Sequence, residues 1–297
     1  MNYGNKNIRK KGNVALFGLL ILANTIVCAQ NEGSQTLNQK GFIGKALAAM
    51  ATSNAMHRWN EMCGRWMNNS GSPASEELQK LAKEAQTAVG IPEERQVPIM
   101  VTDDPDVDGA MADRKAIYVS KYVDDSDYLY GTKRCTLFHE SVHIKYHDMS
   151  CSMIPTMAGF FGAPILTRAL IKPQGRLKLL YPISMIAGFY SGRIVQKKYR
   201  DYYERRADIE GHYATGCHVC VSEHAGELRN TLDYINQGLE TLKSIENPND
   251  EQVAAAKVCE GFIEGKKRYL SPDENEIIAA DLKRDNKVCA LHENQAK

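Results

Sequence analysis

Apolar residues recur at helical spacing along much of this chain. Three stretches show the three- and four-residue repeat of an amphipathic helix, namely Phe42 to Met67, Leu78 to Val89 and Leu228 to Ile245. Two further helical runs follow, around Val253 to Phe262 and Glu274 to Lys283. The pattern predicts a mostly helical chain with a helical C-terminal extension, in which each helix buries one face.

Two short apolar runs differ from this pattern, because Val97 to Thr102 and Ala116 to Ser120 have the length and composition of strands. Asp-Pro and Asp-Gly turns separate them. Before them, Ser75 is expected to cap the helix through Leu78, and Gly90 is expected to end it. The sequence therefore predicts an α+β fold, mostly helical, with a small β-sheet.

Two longer apolar stretches, Met153 to Ile171 and Leu179 to Val195, form an apolar helical hairpin at 153–195. Each is short for a membrane span and is interrupted by proline. The connector is basic, as in a cytoplasmic turn, and small residues would permit close helix contact at Gly159, Gly162, Gly188 and Gly192. Membrane contact through 153–195 and a pair of buried helices in a soluble domain both fit this pattern.

The N-terminus has the pattern of a secretory signal peptide. Four basic residues and no acidic ones precede residue 30, and an apolar run from Val14 to Val27 follows the basic start. Val27-Cys28-Ala29 provides a small-residue cleavage site, so we expect a signal peptide at 1–29. An uncleaved anchor helix is the alternative. Either one predicts export to a periplasmic or other extracytoplasmic space, with membrane association if the hairpin inserts.

Composition sets broad limits on the remaining chain. The 297 residues are 43% hydrophobic, enough for one good-sized core and an accessory region. The formal net charge is only +1, and four of the basic residues belong to the N-terminal segment. No basic field indicates a nucleic-acid partner.

The segment His139-Glu140-Ser141-Val142-His143 has the His-Glu-x-x-His pattern within a helix-compatible run. Residues four apart lie on one helix face, so both imidazoles can reach one zinc ion. Glu140 falls beside that face, where a carboxylate can take a proton from zinc-activated water. The alternative is a surface helix with two unrelated histidines.

A hydrolytic zinc site needs a third protein ligand. His147 lies about one turn, or 6 Å, too far along the same helix. Glu204 is the better candidate, with Asp208 four residues later on the same face to hydrogen-bond a liganding imidazole, expected to be that of His139. The alternative is a charged solvent face in which these two acids accompany Arg205 and Arg206.

These motifs resemble the zinc metallopeptidases of the HtpX and CAAX-prenyl-endopeptidase family, which are gluzincins. That family has a downstream Glu-x-x-Ala-Asp-x-x-Gly motif, matched here by Glu204, Ala207, Asp208 and Gly211. It also has a substrate strand containing Asn-Ala-Phe-Ala, which aligns with the segment Gly109, Ala110, Met111 and Ala112. Asp108 or Gly109 replaces the Asn in this chain, a departure that does not affect the metal ligands.

The resemblance implies a zincin-like metallopeptidase core at 73–224 that contains the apolar hairpin. An N-terminal helical segment at 30–72 would precede it, and a helical region at 225–297 would follow it. The implied activity is that of an exported zinc endopeptidase acting on a polypeptide substrate, with one Zn²⁺ per chain. An extended substrate could pair with the strand at 109–112 through backbone hydrogen bonds.

Two points of this assignment stay open. A second electrophile is usual in such sites, and position alone allows His212, Tyr213 or His218. The chief alternative function is a non-catalytic metal- or thiol-binding exported protein on a degenerate peptidase scaffold.

The chain has eight cysteines, of which seven remain if the signal peptide is removed. Cys217 and Cys220 form a C-x-x-C motif that has no second C-x-x-C partner. A local disulfide, half of a structural zinc site with Cys259 or Cys289, and a redox pair all fit this spacing. Disulfide chemistry is the preferred interpretation, with Cys217 and Cys220 as a possible pair and the connectivity left open.

Overall fold

The computed structural model describes residues 71–104, 107, 109–125, 128–171 and 180–295. The predicted signal peptide at 1–29 and the helix predicted from Phe42 to Met67 lie outside these residues. The same is true of most of the basic connector of the apolar hairpin, at 172–179.

The sheet has four short strands: β1 (Ser72–Pro73), β2 (Ile99–Thr102), β3 (Ala110–Ala112) and β4 (Ile117–Ser120). Their order is β1-β2-β4-β3, with β2 and β4 parallel and the other two pairs antiparallel. The two predicted strands are confirmed as β2 and β4, and all four β4 residues are buried because the strand is covered on both faces. Within the part of the chain that the structure describes, strand β3 lies at an edge of this sheet, and one side of its backbone is not paired with another strand.

Helices make up most of the remaining described chain, which confirms the mostly helical α+β class. Besides a 3₁₀ turn at Glu93–Arg95, they are α1 (Glu76–Ala88), α2 (Lys121–Asp124), α3 (Tyr130–Tyr146), α4 (Asp148–Ile171), α5 (Leu180–Ala214), α6 (His218–Lys243), α7 (Asp250–Lys266), α8 (Pro272–Arg284) and α9 (Ala290–Gln295).

Helix α1 has the boundaries that its sequence predicts. The Ser75 hydroxyl accepts a hydrogen bond from the Leu78 N–H at 3.3 Å, and Gly90, with φ of 87°, follows the C-terminal cap. Leu78 lies with strand residue Ile117 and with Phe138 of α3 in the main hydrophobic core. This core between α1, the sheet and α3 fixes the orientation of α3, the helix that carries the His-Glu-x-x-His motif.

The described residues fall into two compact units, one formed by 154–171 and 180–196, the other by the remaining parts of the chain. Within the first unit, Gly159 and Gly188 approach so closely that neither has room for a Cβ atom. The buried rings of Phe160 and Phe189 pack beside each other, with centroids 6.2 Å apart. The two arms of the apolar hairpin therefore touch through small residues, as the glycine spacing predicts.

Most large apolar side chains of this hairpin are exposed, among them Ile165, Leu166, Leu170 and Ile194. Among the described residues, Met153–Ile171 is the one helical segment that by length and composition could cross a membrane, with a mean hydropathy of 1.3.

Candidate metal centre

Helix α3 presents its two motif histidines side by side. Leu137, Phe138 and Val142 are fully buried in the core. The motif histidines lie on another face of the helix, which meets α5. His139 and His143 share that face, and their Nε2 atoms lie 3.0 Å apart. The helical repeat alone accounts for this proximity, because residues four apart are neighbours on the helix surface.

Glu204 of α5 completes a three-atom cluster. Its Oε2 atom lies 3.3 Å from Nε2 of His139 and 3.3 Å from Nε2 of His143. In a tetrahedral zinc site with bonds of about 2.0–2.1 Å, neighbouring ligand atoms lie about 3.3–3.4 Å apart. The three donor atoms therefore have the spacing of three corners of such a site, and the fourth corner is free of a protein ligand from the described residues.

Two small residues allow α5 to approach α3 so closely. Ala207 is fully buried, and Gly211 lies against the backbone of His139. A methyl group on Gly211 would lie 2.9 Å from the His139 nitrogen and 3.0 Å from its Cα. The small residues of the second motif thus serve to bring the Glu204 carboxylate within reach of the imidazoles.

Replacing Gly211 with alanine should separate the two helices and weaken metal binding. The added methyl meets backbone, which cannot rotate away, so we expect a loss of about 1–3 kcal/mol in unfolding free energy, as for overpacked cores. Thermal unfolding and a zinc competition assay would measure both effects. Gly261→Ala in α7 is the matched control, since nothing lies within 4 Å of its added Cβ. Equal behaviour of the two variants would contradict the close-approach role of Gly211.

Asp208 lies behind His139, as the sequence predicts. Its Oδ1 atom is 2.7 Å from Nδ1 of His139, and its Oδ2 accepts a hydrogen bond of 2.7 Å from the Leu270 N–H. The carboxylate is 5% exposed. Because it binds Nδ1, it leaves Nε2 of His139 free to face the cluster and makes that nitrogen a stronger ligand.

Asp148 supports His143 in the same way, and the sequence analysis did not identify it. Its Oδ2 atom is 2.9 Å from Nδ1 of His143, and Arg206 donates to both of its oxygens, at 2.6 and 2.7 Å. Asp148 comes back toward α3 because His147 adopts a left-handed conformation, with φ of 56°, between α3 and α4. The only sequence signal was an acid two residues after the end of the motif helix. The side chain of His147 is exposed, and its Nε2 atom lies 3.0 Å from Nη2 of Arg95, so this imidazole is not part of the three-atom cluster.

The electrostatics of the cluster suit a cation. Burial acts to lower the pKa of His143, yet hydrogen bonds with Asp148 and Glu204 raise it to about 9. Burial acts to raise the pKa of Glu204, but its hydrogen bonds with both imidazoles hold that pKa well below its ordinary value. The site thus stabilises an ionised carboxylate beside imidazoles that gain from nearby negative charge. A divalent cation at this point would balance the buried carboxylates.

Glu140 occupies the position expected of a general base. The side chain is 7% exposed, its carboxylate accepts a hydrogen bond from the Ala112 backbone, and burial raises its pKa. Together with His139 it lines a cavity of about 330 Å³. Glu140 therefore connects the metal-ligand cluster with strand β3 and with space for another molecule.

The edge strand β3 lies between two cavities. Ala110 lines the cavity that contains His139 and Glu140, whereas Ala112 lines a second cavity of about 490 Å³ beside His143. Gly109 precedes the strand with φ of 91°, and its carbonyl accepts from the Ser120 N–H. Residues of the segment at 109–112 thus line both cavities next to the cluster.

The three residues considered as a second electrophile lie in different surroundings. His212 is 1% exposed and lines the first cavity, Tyr213 donates its hydroxyl to Asp281 at 2.8 Å, and His218 lines neither cavity. Tyr269, which the sequence analysis did not identify, lines the first cavity with its ring centroid 5.8 Å from that of His139. It comes from the C-terminal extension, so no local pattern pointed to it.

The cysteines of the C-x-x-C motif are free thiols in the structure, so the possible disulfide between them is not formed. Cys217 and Cys220 instead gather with Cys289 and His292, and the four candidate ligand atoms all lie within 4.8 Å of one another. Cys289 is one of the two partners that the sequence analysis left open, whereas Cys259 lies outside the group. Among the described residues, the structure thus contains two candidate metal-binding groups.

Comparison of the chain with models of known protein families, with curated proteins and with solved structures found no match in any of the three.

Proposed function

We propose that this chain is a zinc-dependent endopeptidase. The observation that carries the proposal is the triangle of His139, His143 and Glu204 donor atoms, 3.0 to 3.3 Å apart, with the Glu140 carboxylate beside it in a cavity. Three protein ligands with one open corner are typical of catalytic zinc, whereas structural sites use four. The resemblance of the ordered motifs to the HtpX and CAAX-prenyl-endopeptidase family supports the same assignment.

The residues of the site have complementary roles in this proposal. Zinc held by such a ligand set supplies a Lewis acid that polarises a peptide carbonyl and lowers the pKa of water to about 7. Glu140 accepts the proton of the attacking water and later returns it to the leaving amine. Asp208 and Asp148 hold the two imidazoles in the tautomer that offers Nε2 to the metal.

Strand β3 suggests how a substrate would be held. A polypeptide in extended conformation can add to the open edge of a sheet through backbone hydrogen bonds, which do not depend on its sequence. The edge at 110–112 borders both cavities, so side chains of the substrate on either side of the scissile bond would have space. We therefore propose an unfolded or extended segment of a protein as the substrate class.

A direct test is cleavage of an unfolded protein such as casein by the purified full chain. We expect cleavage that stops when a chelator removes the metal and returns when Zn²⁺ is added back. Tight zinc binding without any cleavage would instead support the alternative, a non-catalytic metal-binding protein on a peptidase scaffold. Cleavage that persists after complete metal removal would contradict both.

Replacing Asp208 with asparagine should weaken metal binding by about 10–100-fold, since a neutral amide supports the ligand imidazole less well than a carboxylate. The side-chain NH₂ group of asparagine would also face either the imidazole Nδ1–H or the Leu270 N–H, so a donor would oppose a donor where Asp208 has an acceptor. Competition with a chromophoric chelator measures the affinity. Asp233→Asn on the exposed surface of α6 is the control and should bind zinc as the wild type does. Wild-type affinity in Asp208→Asn would refute the supporting role.

A further inference from the structure

We propose that Cys217, Cys220, Cys289 and His292 form a second zinc site, whose role is structural and which fastens the C-terminal end of the chain to helix α6. The proposal is independent of the peptidase assignment, because it uses other residues and requires no reaction.

The interatomic distances fit a tetrahedral ion. Sγ of Cys220 lies 3.8 Å from Sγ of Cys289, and Nδ1 of His292 lies 3.2, 3.6 and 3.3 Å from the sulfurs of Cys217, Cys220 and Cys289. With zinc–sulfur bonds of about 2.3 Å and zinc–nitrogen bonds of about 2.0–2.1 Å, two sulfurs lie about 3.8 Å apart, and sulfur and nitrogen about 3.6 Å apart. A disulfide would require about 2.05 Å between its sulfurs.

The spacing of the ligands along the chain is also that of structural zinc sites. Cys217-x-x-Cys220 provides one pair and Cys289-x-x-His292 the other, as in sites that combine a Cys-x-x-Cys turn with a second short motif. Cys217 is the N-terminal cap of α6, and Cys220 lies in its first turn. The positive end of a 26-residue helix dipole favours thiolates at these positions.

The carboxylate of Glu223 lies behind the histidine ligand, at an ion-pair distance that is longer than a hydrogen bond. His292 directs Nδ1 toward the sulfurs, while its Nε2 lies 3.7 Å from Oε1 of Glu223. The other carboxylate oxygen of Glu223 accepts a hydrogen bond of 3.1 Å from the Gly131 N–H at the start of α3. A carboxylate behind a liganding imidazole is the usual support of a zinc-bound histidine, and nothing about a disulfide would require it.

Burial distinguishes this group from the first one. Cys217 and Cys220 are fully buried and Cys289 is 7% exposed, in a hydrophobic cluster with Leu270 and Leu282. Four protein ligands leave no open coordination position for water, which is the arrangement of a structural ion. The site therefore lacks the open coordination position that a hydrolytic zinc ion needs.

The ion would stabilise the attachment of the short helix α9, which carries His292. Helix α9 has only six residues, and isolated helices of that length are not stable in water. Besides the contacts within the cluster, the start of α6 is joined to the chain before α9 by the hydrogen bond from the His218 N–H to the Lys287 carbonyl. A bound ion would replace a weak attachment with four coordinate bonds.

Cobalt substitution tests this site without any mutation. Co²⁺ bound to thiolates has an intense near-ultraviolet charge-transfer band, which a site of two histidines and a glutamate lacks. We expect this band in the full chain loaded with Co²⁺ under reducing conditions, and we expect the zinc-loaded chain to contain about two ions, one for each ligand set. No charge-transfer band at saturating Co²⁺ would overturn the proposal.

Variants separate this site from the first one. Cys289→Ser should lose the band and one equivalent of zinc, whereas His139→Ala should keep the band, and Cys259→Ser, outside the cluster, should match the wild type. Amide exchange in residues 290–295 should increase in Cys289→Ser but not in Cys259→Ser. If Cys289→Ser does not fold, the wild-type spectrum still decides. Disulfide-linked Cys217 and Cys220 in the zinc-loaded protein, or unchanged exchange in Cys289→Ser, would overturn the assignment.

Discussion

Replacing Glu140 with glutamine should abolish peptide cleavage while leaving the metal in place. Glutamine has the same shape and can still accept the Ala112 N–H hydrogen bond, but it cannot take a proton from water. General-base catalysis contributes about 10²–10⁴-fold, so we expect at least a 100-fold loss in kcat. The metal ligands are untouched, and the measured zinc content and thermal unfolding should remain those of the wild type.

The experiment compares initial rates of cleavage with zinc content in the same preparations. A low rate accompanied by lost zinc would show that Glu140 acts through metal binding, not as a base. Cleavage at the wild-type rate in a fully loaded Glu140→Gln variant would exclude this residue as the base. Burial raises the pKa of Glu140 and so makes its carboxylate a stronger proton acceptor.

Replacing Glu204 with alanine should remove the metal from the first site. Two imidazoles would remain from the triangle of three donors, and loss of a ligand should cost more than the roughly 10–100-fold that loss of a supporting partner costs. We therefore expect zinc affinity to fall by more than about 100-fold and cleavage to disappear at ordinary zinc concentrations. Competition with a chelator gives the affinity.

Glu210→Gln on the same helix is the matched control. The Glu210 carboxylate binds Lys145 at 3.2 Å and Tyr146 at 2.9 Å, so its loss weakens a contact between α3 and α5 without removing a ligand. Partly exposed ion pairs of this kind contribute at most about 1 kcal/mol. If Glu210→Gln lowered zinc affinity as much as Glu204→Ala, helix association rather than coordination would explain the effect. If Glu204→Ala kept wild-type affinity, the proposed ligand set would be wrong.

Parts of the first site follow from local sequence, and other parts do not. The side-by-side placement of His139 and His143 is a property of any helix with that spacing. The partnership of Asp148 with His143 spans only five residues, yet it depends on the left-handed turn at His147, a conformation that histidine adopts more often than most residues but that is still uncommon for it. The contribution of Tyr269 to the cavity depends on the packing of the C-terminal extension.

The cysteine group shows the same division more sharply. The C-x-x-C spacing indicated a thiol pair and favoured a disulfide, while a redox pair and half of a metal site also fitted it. The other two ligands lie about seventy residues further along the chain, with sequence separations of 69 to 75 in their contacts. Only the packing of α8 and α9 against α6 brings the four residues together.

Local sequence alone thus determined strands β2 and β4, helix α1 with its cap at Ser75, and the shared face of the two histidines. These depend on backbone geometry and on neighbours within a turn or two. The tertiary structure decided which distant groups meet: Glu204 with the imidazoles, Asp208 with Leu270, and Cys289 with Cys220. Those contacts depend on the distance between packed helices. Small residues such as Gly211 permit a short distance, but no local sequence repeat encodes it.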